Sequence, residues 1–227
     1  MRRRSIWLQD LFFLNRYGFL LVYGIFTIVY ICILQVIPTN YQELVMRILI
    51  FTDPAAMGLF FMGAIVLLEK SQRVQSALTV SPLSVSNYIL GKIIAFLITG
   101  EIVAVLIAIS TGTYEIGGIL VGVAFGSVLF SLAGLILAIY ARSLNHFMLI
   151  SVIAELLITL PGVLKLFGVN HFLLTINPGA MVVDLMSGIG MRQLLYGMVL
   201  VCEIIILFCI CKELTKRSFR RLGGARL

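Results

Sequence analysis

Long apolar stretches alternate along the chain with short polar connections, and the stretches lack the two-residue alternation of a half-buried strand. Six runs, near 17–37, 48–68, 89–110, 118–140, 147–168 and 194–211, are continuous and roughly 20 residues long. At about 1.5 Å of rise per residue, a helix of that length crosses a hydrocarbon layer of about 30 Å. Within lipid only helices and closed barrels satisfy their own backbone. Barrel strands alternate over roughly 10 residues, so these runs predict helices. The expected fold is an all-α integral membrane protein with six transmembrane helices, and 1–227 reads as a single transmembrane domain. The connections are too short to hold a separate soluble domain.

Composition strengthens this reading. The chain is 61% hydrophobic and 12% charged, with a mean hydropathy of +1.11. A typical soluble domain carries about 25% charged residues. Disordered, collagen-like, coiled-coil and disulfide-scaffold classes are excluded on the same grounds.

Charge then sets the expected orientation. Arg2, Arg3, Arg4, Arg16, Lys70, Arg73, Lys92, Arg142, Lys212, Lys216, Arg217, Arg220, Arg221 and Arg226 fall on one side of the six spans. Arg47, Lys165 and Arg192 fall on the other. The positive-inside rule places both termini in the cytoplasm. A net charge of +7 could suggest nucleic acid, but these bases flank span ends, where topology and anionic headgroups account for them. The lipid bilayer is the expected partner, with no nucleic acid. The N-terminal run is long enough to span and lacks a small-residue cleavage site, so it reads as a retained helix. Before it, residues 4–16 mix Trp7, Leu11 and Leu14 with polar groups and predict an interfacial helix.

Candidate chemistry is sparse. Cys32, Cys202, Cys209 and Cys211 read as core thiols, and His146 and His171 lie at opposite sides, so no metal site is expected. Glu101, Glu155 and Glu203 lie inside spans, where charge is costly and acids face the interior. They either line a path for a cationic substrate or pack between helices in protonated form. Glu101 is the first choice for a path. Asp53-Pro54 reads as an N-cap and first helical turn, with a kinked or re-entrant piece before it. Gly118, Gly122, Gly126 and Gly134 form a small-residue stripe, suited to close packing within the bundle or to a dimer interface. The outer connection 169–193 carries an Asn177-Pro178-Gly179 turn and an apolar run. With Pro161-Gly162, it predicts broken helices folded into the outer leaflet as a re-entrant segment before the last helix.

The longest cytoplasmic connection begins Glu69-Lys70 and opens as a helix, with Glu69 and Arg73 at i,i+4 spacing and Ala77 and Leu78 on an apolar face. Pro82 forces Ser81 out of helical geometry, and Ser86 or Asn87 then caps the third span. Such a segment, 69–82, is either a solvated loop or a handle that moves two spans when a partner grips it.

The ordered set Phe51-Thr-Asp-Pro54, Gly58, Leu68-Glu-Lys70, Ala77-Leu-Thr-Val-Ser-Pro-Leu-Ser84, Tyr88 and Leu90-Gly-Lys92 resembles the permease subunits of ABC type-2 exporters. The detailed match covers about 45 residues, and the six-span plan covers the whole chain. The resemblance implies that Glu69, Lys70, Arg73, Ala77, Leu78, Ser81 and Pro82 couple to cytoplasmic ABC ATPase subunits. It implies a second permease chain, identical or related, a plasma-membrane location, and export of a lipophilic or amphipathic drug or peptide. Gly91-Lys92 lacks the upstream glycine and following hydroxyl of a phosphate-binding loop. ATP and magnesium therefore belong to the partner, and this chain is not expected to be an enzyme or to hold a cofactor. An ion-gradient carrier or channel with Glu101, Glu155 and Glu203 as its relay is the alternative, although the internal repeat common in such carriers is not evident.

Overall fold

A computed structural model describes residues 12, 14–16, 18–72, 84–113, 115–169, 171–188 and 190–222. Their regular elements are all helical: α1 (Phe19–Val36), α2 (Thr39–Thr52), α3 (Met57–Ser71), α4 (Val85–Ser110), α5 (Ile116–Tyr140), α6 (Leu144–Leu166), α7 (Phe172–Thr175), α8 (Pro178–Met186) and α9 (Met191–Leu222). Among these residues six segments are long and apolar enough to cross a bilayer, the second being α2 and α3 together, Thr39–Ser71. The protein is a multi-pass membrane protein. Residues 12 and 14–16 are helical and turn into α1 at Gly18, whose φ of 76° suits glycine. The rest of the expected interfacial helix lies outside the described residues.

The bundle is organised around α5, which touches α3, α4, α6, α8 and α9. Glycine makes this possible. A Cβ on Gly134 would sit 2.9 Å from the Gly58 carbonyl oxygen, and one on Gly58 would sit 2.8 Å from the Ser131 nitrogen. Nearer the other end, a Cβ on Gly118 would meet the Gly188 nitrogen at 2.8 Å, and on Gly122 the Val182 oxygen at 3.0 Å. Gly126 faces Ala55. The glycine stripe is thus filled by α3, the turn before it, and α8 of the same chain. In lipid, where apolar burial drives helices together only weakly, such close backbone packing supplies much of the attraction. By contrast α1, α6 and α9 leave most of their apolar residues on the outside.

Several local expectations are corrected. Asp53 is not an N-cap: it closes α2, its N–H bonded to the Leu49 oxygen at 3.1 Å, and α3 starts only at Met57. Pro54 has no N–H and cannot continue α2, so the Ala55 N–H bridges back to the Ile50 oxygen at 3.0 Å. Ser84, rather than Ser86 or Asn87, caps α4 by accepting from the Asn87 N–H at 3.2 Å. The helix α6 runs unbroken through Pro161. The last helix does not stop near 211. It continues to Leu222, since Leu214, Thr215 and Phe219 extend an apolar face at helical spacing between the basic residues. Of the four thiols only Cys211 is in the core, 3.3 Å from the Leu132 carbonyl; Cys32, Cys202 and Cys209 are exposed.

Candidate functional site

The described charged groups collect at the two ends of the bundle and at a few points inside it. At the basic end, α3 and α4 flank the connection expected to couple to a partner. Glu69, in the last turn of α3, points inward and not along a solvated face. Its carboxylate accepts from Lys92 Nζ at 2.5 Å through one oxygen and from the Tyr88 hydroxyl at 2.5 Å through the other. Both charged side chains are buried, 4% exposed for Lys92 and 7% for Glu69. Lys92 also lies 4.9 Å from the Tyr88 ring centre, and Phe219 of α9 packs edge-on against that ring at 5.5 Å. One turn of α3, two turns of α4 and the extension of α9 are thereby latched together. Lys70 and Ser71 point away from this latch and are exposed. Arg73, Ala77, Leu78, Ser81 and Pro82 lie outside the described residues.

Inside the bundle the three singled-out acids are not brought together. Glu155, on α6, instead shares electrostatic range with Asp53 and Tyr23, and the Tyr30 hydroxyl faces the Asp53 carboxylate. Tyr23 is almost fully buried. Its hydroxyl and one Asp53 oxygen lack a hydrogen-bond partner among the described residues. Glu101 on α4 and Glu203 on α9 each have one buried oxygen with no hydrogen-bond partner among the described residues. An apolar cleft of about 490 Å³ lies between α5, α8 and α9, walled by Val121, Phe125, Gly197 and Val201, and none of these acids lines it. Its size suits a lipophilic small molecule.

At the opposite end, Arg47 and Lys165 tie the segment around α8 to its neighbours, while Arg192 bonds within its own helix. Arg47 donates to Glu43 and Glu115 at 2.7 Å each and to the Met186 carbonyl, at the end of α8, at 3.0 Å. Lys165 of α6 pairs with Asp184 of α8, and Arg192 donates to the Tyr196 hydroxyl at 3.0 Å. Asn177 clips the arrangement from the other side. Its Oδ1 accepts from the N–H groups of Gly179 and Ala180, capping α8. Its Nδ2 donates at 3.0 Å to the Leu157 carbonyl, the group that Pro161 leaves without its helical partner. This explains how α6 stays intact. Asn177→Ala is expected to cost about 2 kcal/mol, half from the cap and half from the orphaned carbonyl. Asn177→Asp keeps the cap and should cost about 1 kcal/mol, both measured by thermal unfolding in detergent micelles.

The Asn-Pro-Gly sequence signals a cap, but nothing in it points to Leu157, which lies 20 residues earlier. The Glu69–Lys92 pair was missed as well. Its only sequence signal is a pair of opposite charges set just inside two successive apolar runs.

Six apolar helical segments, with glycine-lined α5 at their centre, acids inside and charged clamps at both ends, make a multi-pass membrane bundle of the kind that transporters use. The chain belongs to the Fluoroquinolones export permease protein family, whose model matches residues 3–221. It is accordingly a transporter of the export class. A comparison with curated proteins found no match.

Proposed function

We propose that this chain is the permease subunit of an ABC exporter, driven by separate cytoplasmic ATPase subunits that bind ATP and magnesium. The observation that carries this reading is the latch. The segment 73–83 joins α3 to α4, and Glu69, Tyr88 and Lys92 tie the ends of those helices together. A push on that segment moves two spans as one body. The basic end then faces the cytoplasm, as the excess of Lys and Arg there supports. A second permease chain, identical or related, covers part of the apolar surface left open on α1, α6 and α9, and lipid covers the rest. The cargo is an amphipathic drug of the fluoroquinolone kind, as the family's name suggests. A cationic group on it is attracted by Asp53 and Glu155, with Glu101 and Glu203 further along the path.

The test spares Glu69, because changing it alone would disturb folding and so obscure any loss of docking. Residues 73–82 are replaced by a Gly/Ser linker of equal length, and the co-expressed ATPase is captured with the permease. The wild type should retain the ATPase and export fluoroquinolone from vesicles only with ATP. The replaced chain should lose both. Export driven by an ion gradient without ATP would favour the carrier reading, with Glu101, Glu155 and Glu203 as its relay.

A further inference from the structure

We infer that a groove at the basic end of the bundle binds the phosphate headgroup of an anionic phospholipid from the adjoining leaflet. The groove has a volume of about 540 Å³ and lies where the start of α1, the end of α3 and the turn from α5 to α6 meet. Its wall is apolar, with Phe19, Leu67 and Leu144, and its polar lining includes Lys70, Arg142 and Ser143. Among the described residues no acidic one lines it. Glu69, next to Lys70 in sequence, is turned away and neutralised by Lys92. Among the described residues neither Lys70 nor Arg142 forms an ion pair.

The chemistry of the rim is that of an anion site. Ser143 caps α6 by accepting from the His146 N–H at 3.2 Å, which leaves its hydroxyl hydrogen free to donate. The first turn of a 23-residue helix opens at the same place, adding unpaired N–H groups and the positive end of its dipole. Two cations, a hydroxyl donor and a helix start above an apolar wall match an anionic head joined to acyl chains. A free phosphate would use the rim and leave the wall unfilled. The groove shares the last turn of α3 with the Glu69 latch, on its other face, so an occupant bears on the helix end that leads into residues 73–83.

The test needs neither an ATPase nor a drug, so its failure is distinct from failure of the exporter reading. Delipidated protein is titrated with short-chain phosphatidylglycerol, with phosphatidylcholine of the same chain length, and with inorganic phosphate, following binding by native mass spectrometry and thermal shift. Phosphatidylglycerol should bind and phosphatidylcholine should bind weakly. The Lys70→Gln/Arg142→Gln double variant should bind phosphatidylglycerol about 30-fold less tightly. Lys212→Gln/Lys216→Gln, which alters exposed bases on α9, should change binding less than about threefold. Both changed residues at the groove are exposed, so the double variant should melt like the wild type in phosphatidylcholine. Equal phosphatidylglycerol binding by wild type and the groove variant would overturn the proposal. So would inorganic phosphate binding as tightly as the lipid.

Discussion

Lys92→Met is expected to lower stability by about 3–5 kcal/mol, because among the described residues it leaves the buried Glu69 carboxylate with the Tyr88 hydroxyl alone. Glu69→Met should also destabilise, because it removes the carboxylate that pairs with the buried Lys92 ammonium. Removing both charges should behave differently. A buried pair replaced by apolar groups of similar volume is often neutral or stabilising, so the double Met variant should recover most of the loss. Thermal unfolding of the four proteins in micelles, read as a double-mutant cycle, checks this. A double variant no better than the worse single would show that the pair does not act as a unit. In the exporter reading the recovered double variant also separates stability from coupling. It should fold and retain the ATPase, yet export poorly, since apolar contact between α3 and α4 permits sliding that a charge-assisted bond does not.

Gly134→Leu should destabilise the bundle by about 3 kcal/mol, at the upper end of what overpacking usually costs. The side chain would have to enter the seam where α5 meets the backbone of α3 at Gly58 and Leu59, and backbone cannot move aside as a flexible side chain can. Gly24→Leu is the matched control. Nothing lies within 4 Å of a Cβ at Gly24, on the outward-facing α1, so the same change there should stay within about 0.5 kcal/mol. Comparable losses at the two sites would mean that the glycine seam is not what holds α5 in place.

Much of the fold could be read without coordinates, because in lipid a single physical demand dominates. Backbone groups must be satisfied within the segment, so a long apolar run can only be a helix, and span number follows from counting. The small-residue stripe of α5 was legible for the same kind of reason, since four-residue spacing puts Gly118, Gly122 and Gly126 on one face. Helix ends were less legible. At Asp53-Pro54 a strong local cap signal lost to the path of α2, and at Pro161 a strong breaker lost to Asn177, which satisfies the carbonyl the proline strands. Local chemistry states what a residue can do, and the neighbours brought by folding choose among the options.

The candidate site divides along the same line. Sequence alone determined that this is a six-span membrane protein with its bases gathered at one end, and that Glu69–Pro82 joins two spans, because length, hydropathy and charge are properties of the chain before it folds. Only the tertiary structure decided that Glu69 is turned inward onto Lys92 and Tyr88, that Glu155 comes within electrostatic range of Asp53 and Tyr23, and that the glycine stripe is filled from within the chain. Each of these joins residues on different helices. Their meeting depends on the rotation and tilt with which helices pack, and no pattern within one helix encodes those alone.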